Sequence, residues 1–305
     1  MKILVIGVNG QVGRELMSAL NCLTLEGGHR PHLVFCNRND LDLARLQATT
    51  EYLNVIAPNI IVNAAAYTAV DQAESHSELA YLINEAAVKE MALFCRKRQC
   101  CLIHISTDYV FDGWSDRPYV ESDTVCPSGV YGCSKLAGEK AIREVLDEHI
   151  ILRTSWVFGA GGNNFVKTML RLAANKKVLR VVADQCGAPT SARAIADTIA
   201  IIIGRLASEP EPGHLWGTYH FSGFPFVSWA EFAKEIFEQA TYRGLMPAPA
   251  QVDEINTTDY PTPAVRPANS RLDCSKLKGT FGVEPDDWKR SLGLMLEELK
   301  VGMLT

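Results

Sequence analysis

Short, strongly apolar runs alternate with stretches of helical spacing along the first half of the chain. Residues 2–6 (Lys-Ile-Leu-Val-Ile) are a β-branched run of the kind buried on both faces of a parallel sheet. Helical spacing follows over residues 14–20. Residues 32–36 predict a second strand, and Asp40-Leu41-Asp42-Leu43 a short third one. Residues 59–63, 101–105 and 150–153 predict further sheet strands, and residues 75–98 have helical periodicity with few breakers. After Gly159-Ala160-Gly161-Gly162 the character changes. Residues 164–174 predict an amphipathic helix, 178–182 a short strand, 192–206 a helix and 216–221 a strand. Beyond Trp229 the pattern is helical, and then a loop carries Pro261, Pro263 and Pro267. Prolines hold such a loop extended and reduce its freedom.

The turn after the first strand changes the picture from architecture to chemistry. Gly7-Val8-Asn9-Gly10-Gln11-Val12-Gly13 stands between a strand and a helix. Glycines there permit a tight turn and close backbone approach, and the helix N-terminus attracts a pyrophosphate. This order predicts an α/β fold, a Rossmann-type doubly wound parallel sheet, with Gly7, Gly10, Gln11, Val12 and Gly13 against a dinucleotide. We expect residues 1–156 to form the NAD(P)-binding domain and 157–305 mainly a smaller α/β substrate-binding lobe. The segment at about 190–222 is expected to pack back on the first domain, and the active site to lie in the cleft between lobes.

Composition removes several function classes. The chain has 305 residues, a formal net charge of −5 and no basic stripe, which argues against nucleic-acid binding. No apolar run reaches the ~20 residues that span a bilayer, and the N-terminal run is too short for a signal peptide. The nine cysteines form no Cys-x-x-Cys pair, so they read as reduced thiols in a cytoplasmic protein rather than zinc ligands.

Candidate chemistry sits at strand ends and on one later helix. The second strand ends at Asn37-Arg38, where an arginine can accept the 2′-phosphate of NADP; a solvated loop arginine is the competing reading. Asp42 and Leu43 follow at the adenine side. Ala65, Ala66 and Tyr67 come after another strand, and small residues there let a ligand approach the backbone or a helix pack tightly. Ser106-Thr107-Asp108-Tyr109 ends the next strand. Thr107 is placed to hydrogen-bond a carbonyl oxygen and Asp108 a sugar hydroxyl, with a helix cap or turn as the other use of both. Tyr131 and Lys135 are four residues apart, on one face of a helix. A phenol of pKa near ~10 needs a neighbouring ammonium to work as an acid or base at neutral pH.

With Thr107, Tyr131 and Lys135 together, the chain resembles the extended short-chain dehydrogenases/reductases, as does its Gly-x-x-Gly-x-x-Gly spacing. Residues 62–71, 106–113, 153–159, 163–165, 184–190 and 266–273 are similar to signatures of the dTDP-4-dehydrorhamnose reductases, in the same order. The resemblance implies hydride transfer from NADPH or NADH to the C4 ketone of dTDP-4-dehydro-6-deoxy-L-mannose, giving dTDP-L-rhamnose, with NADPH slightly favoured by Arg38. It implies Tyr131 as proton donor, Lys135 on the nicotinamide ribose and lowering the tyrosine pKa, and Thr107 polarising the ketone. Asp108 and Trp156 would contact the nucleotide sugar, although a tryptophan after a buried strand is also a common core residue.

Some members of this family dimerise around magnesium held by glutamates. Glu15 and Glu298 fall at suitable positions, but Arg193 stands where a third glutamate is expected. The sequence therefore predicts a monomer or weak homodimer and chemistry that needs no magnesium. Two rivals are a nucleotide-sugar epimerase or dehydratase, and a non-catalytic relative like the regulatory subunit of methionine adenosyltransferase. A dehydratase would place an acidic residue after Thr107-Asp108, where Tyr109 stands. Trp156 and the 266–273 block argue against the regulatory subunit.

Overall fold

The computed structural model describes residues 1–304. Its first half is built from β1 (Lys2–Ile6), α1 (Gln11–Asn21), β2 (His32–Cys36), α2 (Leu46–Ile56), β3 (Ile60–Asn63), α3 (Val70–Ala73), α4 (Ser77–Tyr81), α5 (Ala87–Arg98), β4 (Cys101–Thr107), α6 (Val130–Val145) and β5 (His149–Thr154). The second half adds β6 (Val157–Phe158), α7 (Phe165–Ala173), β7 (Val178–Val182), β8 (Cys186–Gly187), β9 (Thr190–Ser191), α8 (Ala192–Ser208), β10 (Gly217–His220), β11 (Gly223–Phe224), β12 (Val227–Ser228), α9 (Trp229–Tyr242), β13 (Gln251–Ile255), α10 (Ser275–Phe281), β14 (Asp286–Asp287) and α11 (Trp288–Leu304).

Six parallel strands form the main sheet in the order β10-β5-β4-β3-β1-β2. Ile3, Leu4 and Val5 are completely buried, which is why the run that opens the chain is apolar without alternation. One face of the sheet packs against α1 and α8 through Leu16, Ile195, Ile199 and Ile203. The other packs against α2, α5 and α6 through Leu53, Met91 and Ile142. This is the doubly wound Rossmann-type sheet that the strand–turn–helix order predicts. The strand at residues 216–221 joins it as β10 on β5, and α8 lies on α1.

A third apolar cluster is separate from the sheet. It gathers Val166 and Met169 of α7, Leu179 and Val181 of β7, Phe232, Ile236 and Phe237 of α9, and Trp288 and Leu292 of α11. Within it β7 pairs in parallel with β13. Helix α9 begins on a capping box, with Ser228 Oγ accepting from Glu231 N–H and the Glu231 carboxylate accepting from Ser228 N–H.

Two local expectations are corrected. Residues 40–43 form no strand. Asn37 N–H donates to Asp40 Oδ2 and Ala44 N–H to Asp42 Oδ1, so the two aspartates tie the backbone into turns while Leu41 and Leu43 drop into the core. The sheet order therefore reverses between β1 and β3. The helical stretch 75–98 is not one regular helix, because Leu82–Ala86 is a π-helical turn between α4 and α5. Such bulges recur at functional sites.

Candidate active site

A cavity of about 830 Å³ opens beyond the carboxyl ends of the sheet strands, beside the β1/β3 reversal. Ligands of open parallel sheets bind at this place. The cavity is lined by every site residue expected from the sequence except Gly13.

Gly7 sits at φ +91°, and a Cβ there would lie 2.7 Å from the Ala65 nitrogen. Only glycine fits that crossing of two backbone segments. A Cβ on Gly13 would overlap the Gly7 carbonyl oxygen, so Gly13 brings α1 against the turn and does not reach the cavity. Helix α1 starts at Gly10 with no side-chain cap and no acidic residue in its first turn. Its first N–H groups therefore face the cavity without a competing carboxylate, and an anion is favoured there. These features fit the pyrophosphate of a dinucleotide. Gln11 Oε1 accepts from Asn164 Nδ2, tying the turn to the segment before α7. Arg38 is 76% exposed and 3.7 Å from Asp42, so its guanidinium is free to meet an anion at the cavity rim.

The loop after β3 is held by a residue that sequence reasoning did not single out. Asn84, wholly buried in the π-helical turn, accepts from Tyr67 N–H at 2.8 Å and donates to Tyr67 O and Ser134 Oγ. It clamps the Ala65-Ala66-Tyr67 segment to α6. The only sequence signal was a poor helix former inside a helical stretch.

Thr107, Asp108 and Tyr131 meet in one part of the cavity wall. The Thr107 hydroxyl donates to Asp108 Oδ1 at 3.0 Å and accepts from Tyr109 N–H at 3.2 Å. Asp108 Oδ2 is buried with no hydrogen-bond partner. Burial pushes the Asp108 carboxyl up to about 6, against the pull of the Ser270 and Thr107 hydroxyls. Burial also pushes the Tyr131 phenol well above its ordinary value, the Thr107 hydroxyl pulling it back and the Asp108 charge adding to the rise. Tyr109 meets Tyr131 edge to face, with ring centroids 5.4 Å apart.

Lys135 departs from expectation. It lines the cavity, but its side-chain nitrogen Nζ turns to β4, 2.9 Å from His104 Nε2 and 2.7 Å from Ile105 O. It is not among the groups that shift Tyr131. A buried lysine must find hydrogen-bond partners, and here the strand supplies them. Trp156 is half-buried at φ +47°, its indole stacked on Trp229 from α9. A non-glycine residue held in the left-handed region is strained, which is common at binding sites.

The prolyl loop is tied to Tyr109, which lines the cavity, through a second residue that sequence reasoning did not single out. Arg266 bonds Asp71 Oδ2 at 2.6 Å and the Tyr109 hydroxyl at 3.1 Å. Glu15 and Arg193 lie elsewhere, 3.9 Å apart, with Arg193 also paired to Asp197. Burial and the nearby charge of Glu298 raise the Glu15 carboxyl, against the pull of Arg193. Among the described residues, no three His, Cys, Asp or Glu side chains converge to hold a metal ion. Among them, too, no helix is long and apolar enough to cross a membrane.

The RmlD substrate binding domain family model matches residues 1–301. The chain is 43% identical to the dTDP-4-dehydrorhamnose reductase of Escherichia coli strain K12 over 300 residues, 98% of each chain. It is also similar to the crystal structure of a dTDP-4-dehydrorhamnose reductase from Clostridium acetobutylicum, at a TM-score of 0.87 and 36% identity, covering 98% of this chain and 100% of that one. The Bacillus anthracis dTDP-4-dehydrorhamnose reductase in complex with NADP matches at a TM-score of 0.84 and 34% identity, with the same coverage. The match extends over both the glycine turn and the Trp156 side of the cavity, and the chain belongs to the RmlD family of dTDP-4-dehydrorhamnose reductases.

Proposed function

We propose that this protein reduces the C4 ketone of dTDP-4-dehydro-6-deoxy-L-mannose to give dTDP-L-rhamnose, with NADPH preferred over NADH. The single observation that carries this is the meeting of Thr107, Asp108 and Tyr131 in a cavity that also contains the Gly7–Gly10 turn. When bound, the nicotinamide cofactor supplies the hydride. The turn and the start of α1 hold its pyrophosphate, Arg38 faces the 2′-phosphate, and Asp42 and Leu43 flank the adenine. Ala65, Ala66 and Tyr67 form the wall between them.

Tyr131 gives its proton to the oxygen on which negative charge develops. A phenol kept protonated by burial is suited to donate at the moment that oxygen becomes basic. Thr107 orients the same oxygen by hydrogen bonding, and a donor aimed at developing charge is worth most in a site shielded from water. Asp108, with one buried oxygen unpaired, accepts from a sugar hydroxyl. Trp156 and the lobe built on the third apolar cluster contact the nucleotide sugar, while Lys135 serves the nicotinamide ribose. The protein works in the cytoplasm as a monomer or weak homodimer.

The test runs the reaction backwards, with dTDP-L-rhamnose and NADP and the rise of reduced nicotinamide followed by absorbance. Steady production supports the reading. No production, with the protein folded and NADP bound, would overturn it.

A further inference from the structure

One buried polar chain connects the cofactor side of the cavity to Lys135, and its hydrogen-bonding sense is fixed from one end. The Ala65 backbone N–H donates to Asn63 Oδ1 at 3.1 Å, which turns the Asn63 amide so that Nδ2 faces His104 Nδ1 at 3.1 Å. An amide nitrogen only donates, so His104 Nδ1 is the accepting, unprotonated nitrogen. A neutral imidazole then carries its proton on Nε2. Nε2 lies 2.9 Å from Lys135 Nζ. An N–H at that distance needs an acceptor, and a lysine nitrogen accepts only as the neutral amine. The amine's own N–H donates to Ile105 O at 2.7 Å. Asn63, His104 and Lys135 are each no more than 2% exposed, so solvent does not rearrange these bonds.

We propose that His104, oriented by Asn63, is a positioning residue that holds Lys135 as a neutral amine against β4 and releases it toward Tyr131 when Lys135 gains a proton. The inference rests on the reading of Tyr131 and Lys135 given above. An ammonium has three donors and no acceptor, so it cannot keep the bond from the His104 Nε2–H. The cavity beside Tyr131 offers it polar groups instead. The proton enters from solvent through the cavity that Lys135 lines and forms one new N–H bond on Nζ, and the release breaks only the hydrogen bonds of Nζ to His104 and Ile105 O.

Burial favours the neutral form of both groups. Burial, with the Lys135 charge adding, pulls the His104 ring well below the usual imidazole range. Burial brings Lys135 down to about 8, against the pull of Glu139. Glu139, one turn further along α6, is held by Arg153 of β5, by Ser106 of β4 and by Arg143. Asp108, Tyr109 and Tyr131 stand on the cavity side. Tyr81, from the helical stretch packed on α6, bonds Cys133 and is raised by the charge of Glu85, and neither Tyr81 nor Glu85 acts on Lys135.

Two measurements test it. In the intact protein, two-bond ¹H–¹⁵N correlations of His104 are expected to show the neutral Nε2–H form from pH 6 to pH 9. An Nδ1–H form or an imidazolium would overturn the proposal, and this readout does not depend on turnover. In the second, kcat/KM for NADPH is measured against pH. Loss of the Nε2–H donor in His104→Leu destabilises the neutral amine, so the basic apparent pKa is expected to rise by about one unit. His104→Gln, which returns an N–H donor to that place, is expected to restore it. Identical profiles for wild type and His104→Leu would overturn the proposal. Should the leucine variant fail to fold, the tautomer in the wild-type protein still decides. Full turnover in Tyr131→Phe would defeat the catalytic reading separately, since the His104 tautomer is read without it.

Discussion

The indoles of Trp156 and Trp229 stack with centroids 3.6 Å apart and planes 12° from parallel, joining the strand end after β5 to the start of α9. Gly187 makes the stack possible, because a Cβ there would lie 2.6 Å from Trp156 Cε2. Gly187→Ala is therefore expected to push Trp156 off Trp229. Overpacking of this kind destabilises by roughly 1–3 kcal/mol. Tryptophan fluorescence and thermal melting would register both effects, and the KM for the nucleotide sugar should rise more than kcat falls. An unchanged KM would remove Trp156 from the substrate site.

Tyr131→Phe keeps the ring and its edge contact with Tyr109 but removes the proton donor. Turnover is expected to fall by a factor on the order of 10² or more. NADPH titrated into the variant should still bind as in the wild type. Near-normal turnover would mean that another group delivers the proton.

Arg38→Ala addresses cofactor choice. A charge-assisted bond to a 2′-phosphate is worth about 1.5–3 kcal/mol, so NADPH affinity should drop roughly tenfold or more while NADH is spared. Calorimetric titration with each cofactor decides it. Equal losses would reduce Arg38 to a solvated partner of Asp42.

Asp108 gives a pH prediction with a definite sign. Its carboxyl is pushed up to about 6 in the fold, above the unfolded value near ~3.9. The folded protein binds that proton more tightly, so the group favours folding at low pH. That contribution is lost as pH rises from about 4 through about 6. Above this window the buried carboxylate opposes folding by an amount on the order of 3 kcal/mol. Asp108→Asn should therefore be more stable than wild type in denaturant at pH 8 and no more stable at pH 4, while binding the nucleotide sugar less well. A variant equally destabilised at both pH values would contradict this account of Asp108.

Arg193 frames the prediction about assembly. It lies against Glu15 and Asp197, near the charge of Glu298, and supplies donors where a metal ion would need oxygens. Sedimentation with and without EDTA is expected to give one mass, that of a monomer or weak dimer, and unchanged activity. A dimer that dissociates on chelation would show that carboxylates assemble around magnesium despite the arginine.

The parts of this protein that depend on near neighbours in the chain are legible in its residue pattern. An unbroken β-branched run, three glycines and a helix start suffice for β1 and the turn after it, because a buried strand and a tight turn each restrict residue type locally. Tyr131 and Lys135 were legible for the same reason, a fixed helical period. Residues 40–43 show the limit even at short range, since strand-like spacing lost to aspartate side chains that capture the backbone. Where the long or buried polar side chains find their partners is set by packing between distant segments. Lys135 turns to His104, 31 positions away, because a desolvated nitrogen goes to whatever donor and acceptor the adjoining strand offers. Asn84 reaches back 17 positions to Tyr67, and Arg266 crosses 195 to Asp71. The free energy of these bonds comes from satisfying polar groups removed from water. That demand arises only once the chain has packed, so no local pattern records which partner will meet it.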